Sequence, residues 1–424
     1  MNKRKHERHY MNLLEKDYLK EIISDMAQRF DFSEKSWLCQ TMITKFNDAL
    51  EEHEYHYDIQ RLKPGEIRLP YNGEIITIPL INLNNLKILA DTKLFPPYKM
   101  RVINSVLTLI TNVNKQATID DVHLLISPRE TVPRYQDGGN IHDIHIDASY
   151  PLIKPDDIGV KSNHVAPTVT ALPDNIKNKL IEFSVHELGL KPFVAINMLA
   201  YFQQRRAYYL PLKKSVKPGQ LVWLGSSIKK CYKPENLFMK RKQVPIILTL
   251  YTEQEMNHRP KDLAELNSKM MNQLARITTE AYLQETLLPQ DELQLFYLRS
   301  AHVMSKLIRK YMTINKVILP TPGSILDAGT MFTHKELIID LSMQGYYTKE
   351  IAKKTYHDPR SVDAYLKTLN SVLILWYFDL PSSLISMVTE KGINVVKEHI
   401  TIIEKYFPNK DVIKNYLNQR GIAV

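Results

Sequence analysis

Two kinds of chemistry are written into the polar side chains of this sequence. The first is metal ligation. His142 to Asp147 reads HDIHID, and alternation along an extended strand places Asp143, His145 and Asp147 on one side, a donor set that a divalent ion accepts. A solvated loop or edge strand accounts for the same pattern, and no second ligand cluster of recognisable spacing accompanies it. No metal, cofactor or catalytic residue is therefore assigned. The second chemistry is recognition of phosphates and base edges. Arg360, Ser361, Ala364 and Lys367 fall away from the apolar face of one predicted helix. From such a helix an arginine pairs with guanine, an alanine touches a thymine methyl and a lysine neutralises a phosphate. Asp363 shares that side, where phosphate repels it unless it accepts from a cytosine amine.

The elements that must position these residues are legible in the stretch Thr333 to Asn370. Apolar residues recur at helical spacing in three blocks: Leu337, Ile338 and Leu341; Ile351 and Ala352; Val362, Tyr365, Leu366 and Leu369. Gly345 suits a helix end that needs a left-handed residue, Thr348 is placed to cap the second helix, and Pro359 suits the first turn of the third. This is the helix-turn-helix pattern, with a small residue, Ala352, at the crossing. A helical bundle without ligand is the bland alternative. A second such unit is expected from Leu263 to Gly323. It comprises a long amphipathic helix (Leu263 to Leu283), a short helix (Asp291 to Tyr297) and a basic helix from Ala301. His302, Ser305, Lys306, Arg309 and Lys310 are its DNA-contact candidates, and KVILPTPGSI is read as a wing hairpin. A basic but solvated helix explains that unit as well. Leu380 to Phe407 repeats the theme more weakly and suits packing or dimerisation. Thr118 to Tyr135 looks like a degenerate copy, because Pro133 falls inside its third helix.

Between Arg205 and Lys242 lies the most basic part of the chain. Lys213, Lys214, Lys229, Lys230 and Arg241 stand there with Arg205, Arg206, Lys217, Lys233, Lys240 and Lys242, against a single acid, Glu235. Tyr208, Tyr209, Trp223 and Tyr232 are interleaved with them. VKPGQLVWL and QVPIILTLY read as strands, so the segment has the character of a phosphate-tracking face. LKPGEIRL, at Leu62, is similar to VKPGQLVWL, at Val216, and suggests an internal duplication. The first phrase continues through an Asn72–Gly73 turn as a β-hairpin.

The whole-chain composition is that of an ordinary globular protein: 424 residues, 44% hydrophobic and 24% charged, with a net charge of +10 and a pI near 9.2. Only Cys39 and Cys231 are present, far apart, which argues against a disulfide framework and fits a reducing cytoplasm. No apolar run approaches the roughly 18–20 residues of a membrane helix, and the polar start lacks a signal-peptide core.

THKELIIDL, EIAKKTYHDPRSVDAYLK, LPTPGSILDAG and VKPGQLVW together resemble the uncharacterised domain-of-unknown-function 1670 family of bacteria and archaea, over roughly Pro173 to Phe407. The resemblance implies helical, DNA-binding-like segments and supplies no catalytic residue. The helix-turn-helix half is also similar to the C-terminal modules of response regulators and sigma factors. The expected fold is mainly α with small β-hairpin elements, in tandem helix-turn-helix or winged-helix units. The expected divisions are a helical domain at 1–136, a linker at 137–172, a basic α+β domain at 173–262, a winged-helix-like unit at 263–330 and tandem helix-turn-helix units at 331–424. The expected function is binding of double-stranded DNA, with a homodimer as one possible assembly, in a transcriptional regulator or a mobile-element-associated factor. The alternatives are a nuclease, recombinase or transposase component targeted by these units, and a non-catalytic scaffold that binds protein.

Overall fold

The computed structural model describes residues 13–14, 16–92, 94–127, 152–153, 165–228, 242–325, 332–419 and 421–422. They fall into two units, Met1–Tyr311 and Met312–Val424. The described residues are mainly α-helical, with one small open sheet in the first unit.

In the first unit, α1 (Tyr18–Arg29) and α2 (Ser36–His56) lead into a hairpin of β1 (Glu66–Tyr71) and β2 (Glu74–Pro79). Asn72 and Gly73 both adopt positive φ, +51° and +81°, as a two-residue hairpin turn of type I′ requires. Three helices follow: α3 (Leu83–Thr92), α4 (Phe95–Val113) and α5 (Ile119–Ile126). After α6 (Asp174–His186) and α7 (Pro192–Tyr209) comes a second hairpin, β3 (Gln220–Ser227) with β4 (Gln243–Thr249). The expected hairpin and both later strands are thus present. The sheet order is β2-β1-β3-β4, and β5 (Thr286–Leu287) also pairs with β3. All pairings are antiparallel.

The two Lys-Pro-Gly phrases meet at the middle of this sheet. β1 and β3 pair at Ile67 and Leu221. The Gly65 N–H donates to the Val222 carbonyl at 2.7 Å, and reciprocally the Gly219 N–H donates to the Arg68 carbonyl at 2.6 Å. Each turn is closed the same way: Lys63 N–H to Glu66 Oε2 at 2.8 Å, and Lys217 N–H to Gln220 Oε1 at 2.9 Å. The glycine carbonyls accept from Ile81 and Tyr251, each just past its own hairpin. An approximate two-fold axis therefore passes between Ile67 and Leu221. Both glycines have positive φ, and a Cβ would stand 2.0 Å from the Ile81 oxygen or 1.9 Å from the Tyr251 oxygen. Only glycine fits there.

Beside the sheet, α1, α2, α6 and α7 share one core that includes Met26, Met42, Phe46, Leu180, Met198 and Phe202. Leu172 belongs to the same core, and Thr168 and Thr170 accept from Arg61 Nη2 at 2.7 Å. The end of the stretch read as a linker is thus anchored at Leu172 and Thr170, while 166–169 and Ala171 remain exposed. On the other side, α8 (Glu253–Asn257) precedes α9 (Leu263–Leu283). The sequence reads α9 as amphipathic, yet every residue from Glu265 to Ala281 is buried. Its polar stripe is engaged with the backbone of β4: Thr249 N–H donates to Glu280 Oε2 at 2.6 Å, and the Gln284 side chain bonds both the N–H and the carbonyl of Ile247. An edge strand is covered in this way, which removes a site of edge-to-edge pairing. α10 (Gln290–Tyr297) follows, then α11 (Ala301–Asn315), which runs across the boundary of the two units.

In the second unit, residues 316–321 are not extended into a hairpin, and Pro322–Ile325 is a short helix, α12. The expected wing is therefore not formed by the described residues of this segment. Pro320 and Pro322 each lack an N–H for a ladder, and Ser324 closes a local turn by bonding Thr321 and the Leu319 carbonyl. The remaining helices are α13 (Phe332–Met343), α14 (Thr348–Thr355), α15 (Pro359–Tyr377), α16 (Ser382–Thr389), α17 (Ile393–Tyr406) and α18 (Lys410–Gln419). α15 is longer than its sequence block suggests, because SVLILWYF continues it. Its first half joins a small core of Ile338, Ile351, Ala352 and Val362. Its second half joins a larger one through Leu369, Val372 and Leu373, with Ile385, Val396, Ile403 and Leu417.

Candidate nucleic-acid interface

Helices α13, α14 and α15 form a compact cluster, and its turns explain where the polar residues point. Gly345 adopts φ +90° beyond α13. Tyr347 is the N-cap of α14, and its N–H donates to Glu350 Oε2 at 2.9 Å. Thr348 is thus the first helical residue instead of the cap. Its hydroxyl donates to Asp363 Oδ1 at 2.9 Å, so Asp363 fastens the start of α14 to α15. Tyr356 ends α14 in the left-handed region. Asp358 then caps α15 by accepting from the Arg360 N–H at 2.8 Å, with Pro359 in the first turn.

With Val362 and Leu369 facing inward, Arg360, Ala364 and Lys367 are exposed and Ser361 is half-buried. The exposed three recur at i, i+4 and i+7, which is one face of a helix. Lys349, Lys353 and Lys354 on α14 are exposed too, and the Lys354 ammonium lies 5.1 Å from the Tyr346 ring centre. Reading for the third helix alone passed over these lysines. The doublet Lys353–Lys354 at the end of the second helix is the signal that points to them.

The other candidates are dispersed. On α11, His302, Arg309 and Lys310 are exposed and Lys306 is half-buried, while Ser305 turns inward and is buried. In the basic segment of the first unit, Lys214 is exposed, and half-buried Lys213 donates to Gln60 Oε1 at 2.9 Å. Lys229, Lys230 and Arg241 lie outside the described residues, as do Cys231, Pro133 and His142 to Asp147.

Several other cations of that segment are claimed by acids from α1 and α2. Arg205 and Lys242 both reach Asp25 at 2.6 Å, and Arg206 reaches Glu54 at 2.8 Å. Burial pushes the Glu54 carboxyl up, but Arg206, then Arg61 and Thr170, outweigh it and hold the group below its ordinary range. Two of the aromatic residues, Tyr209 and Trp223, are likewise structural, whereas Tyr208 is half-buried and Tyr232 lies outside the described residues. Tyr209 is buried and donates to the Gln243 carbonyl, and the buried Trp223 indole donates to Glu292 Oε2 at 2.6 Å. Neither ring is available for stacking on a base.

Residues 196–402 match the family model described as "Protein of unknown function (DUF1670)", in agreement with the resemblance read from the sequence. The match runs from within α7 to within α17. No curated protein and no solved structure matches the chain. No helix of the described residues is long and apolar enough to cross a membrane.

Proposed function

We propose that the protein binds double-stranded DNA, with α14 and α15 acting as a helix-turn-helix. In this reading the N-terminal half of α15 enters the major groove. Arg360 and Ala364 meet base edges there, and Lys367 and the α14 lysines hold phosphates. The observation that carries the reading is the exposed row Arg360, Ala364 and Lys367 on a helix whose opposite face is locked into a core. Asp363 remains exposed and charged, and the hydrogen bond from Thr348 directs its carboxylate toward the start of α14. The net charge of +10 supplies a general attraction to a polyanion. A transcriptional regulator or a mobile-element factor would both use such a device.

The test is fluorescence anisotropy of a labelled random-sequence duplex, titrated with the full chain at several potassium chloride concentrations. Affinity is expected to fall steeply with salt. The double variant Arg360→Ala, Lys367→Ala is expected to lose about tenfold or more. Loss of each phosphate contact lowers the logarithmic salt slope by about one. Unchanged affinity in the double variant would remove α15 from the interface.

A further inference from the structure

The first unit contains a cavity of about 510 Å³ that none of the DNA-directed residues enters. Its wall is assembled from separate parts of the chain, among them the β1–β2 turn, α5, α8 with the α8–α9 connection, α9 itself and the end of α10. A volume in this range holds a small organic molecule. Leu266 and Met270 give it an apolar floor.

The charged groups on the wall are three cations, Lys269, Arg259 and Arg299, and two acids, Asp121 and Glu255, beside tyrosine hydroxyls. The hydroxyls of Tyr71 and Tyr297 are buried and make no hydrogen bond among the described residues. Tyr297 is only 5% exposed, and burial holds its hydroxyl well above the ordinary tyrosine range, so it stays protonated. A buried hydroxyl left unpaired costs roughly 1–3 kcal/mol, and two beside one cavity are poorly explained by packing. Lys269, 5% exposed, donates to the carbonyls of Glu255 and His258 at 2.5 and 2.9 Å. Glu255 is itself gripped by both terminal nitrogens of Arg276, at 2.6 and 3.1 Å. Asp121 is held by the backbone N–H and hydroxyl of Thr118. Both acids on the wall are therefore engaged; the Lys269 side chain donates to two backbone carbonyls, and burial lowers its ammonium below the ordinary lysine range, against the pull of Glu255 and Glu265.

We propose that this cavity binds a small organic anion, a phosphate or carboxylate group carried on an apolar body. The acidic group lies against Lys269 and the Tyr71 and Tyr297 hydroxyls, and the body lies against Leu266 and Met270. The probes are phenyl phosphate and benzoate, with benzyl alcohol as the uncharged control, titrated into the full chain by calorimetry and by thermal melting. At least one anion is expected to bind and to raise the melting midpoint, with benzyl alcohol at least tenfold weaker. Tighter binding of phenyl phosphate assigns the natural ligand to phosphate esters, and tighter binding of benzoate assigns it to carboxylates. Tyr297→Phe deletes only the unpartnered oxygen. It is expected to leave the ligand-free melting midpoint unchanged or higher while weakening the anion about tenfold; Tyr71→Phe repeats the test at the β1–β2 turn. Failure of both anions at millimolar concentration, equal binding of benzyl alcohol, or full affinity in both phenylalanine variants would overturn the proposal.

Discussion

At the scale of single residues, the first unit is held by buried charges, several of whose partners come from distant parts of the chain. Glu54 lies between Arg61 and Arg206, at 2.5 and 2.8 Å. Glu292 accepts from Lys16 and from the Trp223 indole, both at 2.6 Å, and burial still holds its carboxyl above the ordinary range. Removing one member of such a pair strands the other in a poor solvent, which costs roughly 3–5 kcal/mol. Arg206→Ala is therefore expected to lower stability by about 3 kcal/mol in urea melts. Glu54 also gives an acid dependence. Its unfolded carboxyl takes a proton near the ordinary 4.5, and its folded carboxyl only at lower pH. Its stabilisation is complete above the unfolded value and is lost as pH falls through the folded one. The urea midpoint should fall across that window, and the fall should be shallower in Glu54→Gln. An equally steep fall in the variant would assign the acid sensitivity to other groups.

At the scale of elements, the paired hairpins are the most demanding feature. Gly65 and Gly219 occupy equivalent places about the axis between Ile67 and Leu221, and each backbone passes too close to a carbonyl for any Cβ. Gly65→Ala and Gly219→Ala are each expected to cost several kcal/mol, about 3 or more, because both the φ and the space are wrong. Similar losses in the two variants, read by urea unfolding, would bear out the local symmetry. A loss confined to one would show that the halves are not mechanically equivalent. In the second unit α15 has the corresponding importance, since one helix serves two cores. Leu373, fully buried in the larger core, gives the contrast: Leu373→Ala should cost about 2–5 kcal/mol, with Arg360 and Lys367 still exposed to solvent.

At the scale of the molecule, the net charge of +10 and the exposed helix face make different contributions to the proposed DNA binding. Charge acts at long range and without sequence preference, so the Arg360→Ala, Lys367→Ala variant should retain a weak, salt-sensitive affinity. Competition with unlabelled random duplex checks this, and residual binding that ignores salt would contradict it. Much of the architecture was readable in the sequence. The Asn72–Gly73 hairpin, the two later strands, the Gly345 and Pro359 breaks and the three short apolar blocks depend on local rules of backbone and period, which neighbouring residues satisfy by themselves. What depended on distant chain was not readable. The charge run from Arg205 to Lys242 looked unopposed because Asp25 and Glu54 lie far back in the sequence, and only folding carries them there. The polar stripe of α9 looked like a solvent face because side-chain type does not reveal whether its partner is water or the backbone of β4. The cavity beside Tyr297 has no sequence signature, because its wall is drawn from segments separated by more than two hundred residues. Sequence alone therefore determined which local pieces form and which carry positive charge. Tertiary structure decided which charges are neutralised, which aromatic rings are buried and where a space is left open, because those properties belong to pairs of residues that the chain brings together only once it is folded.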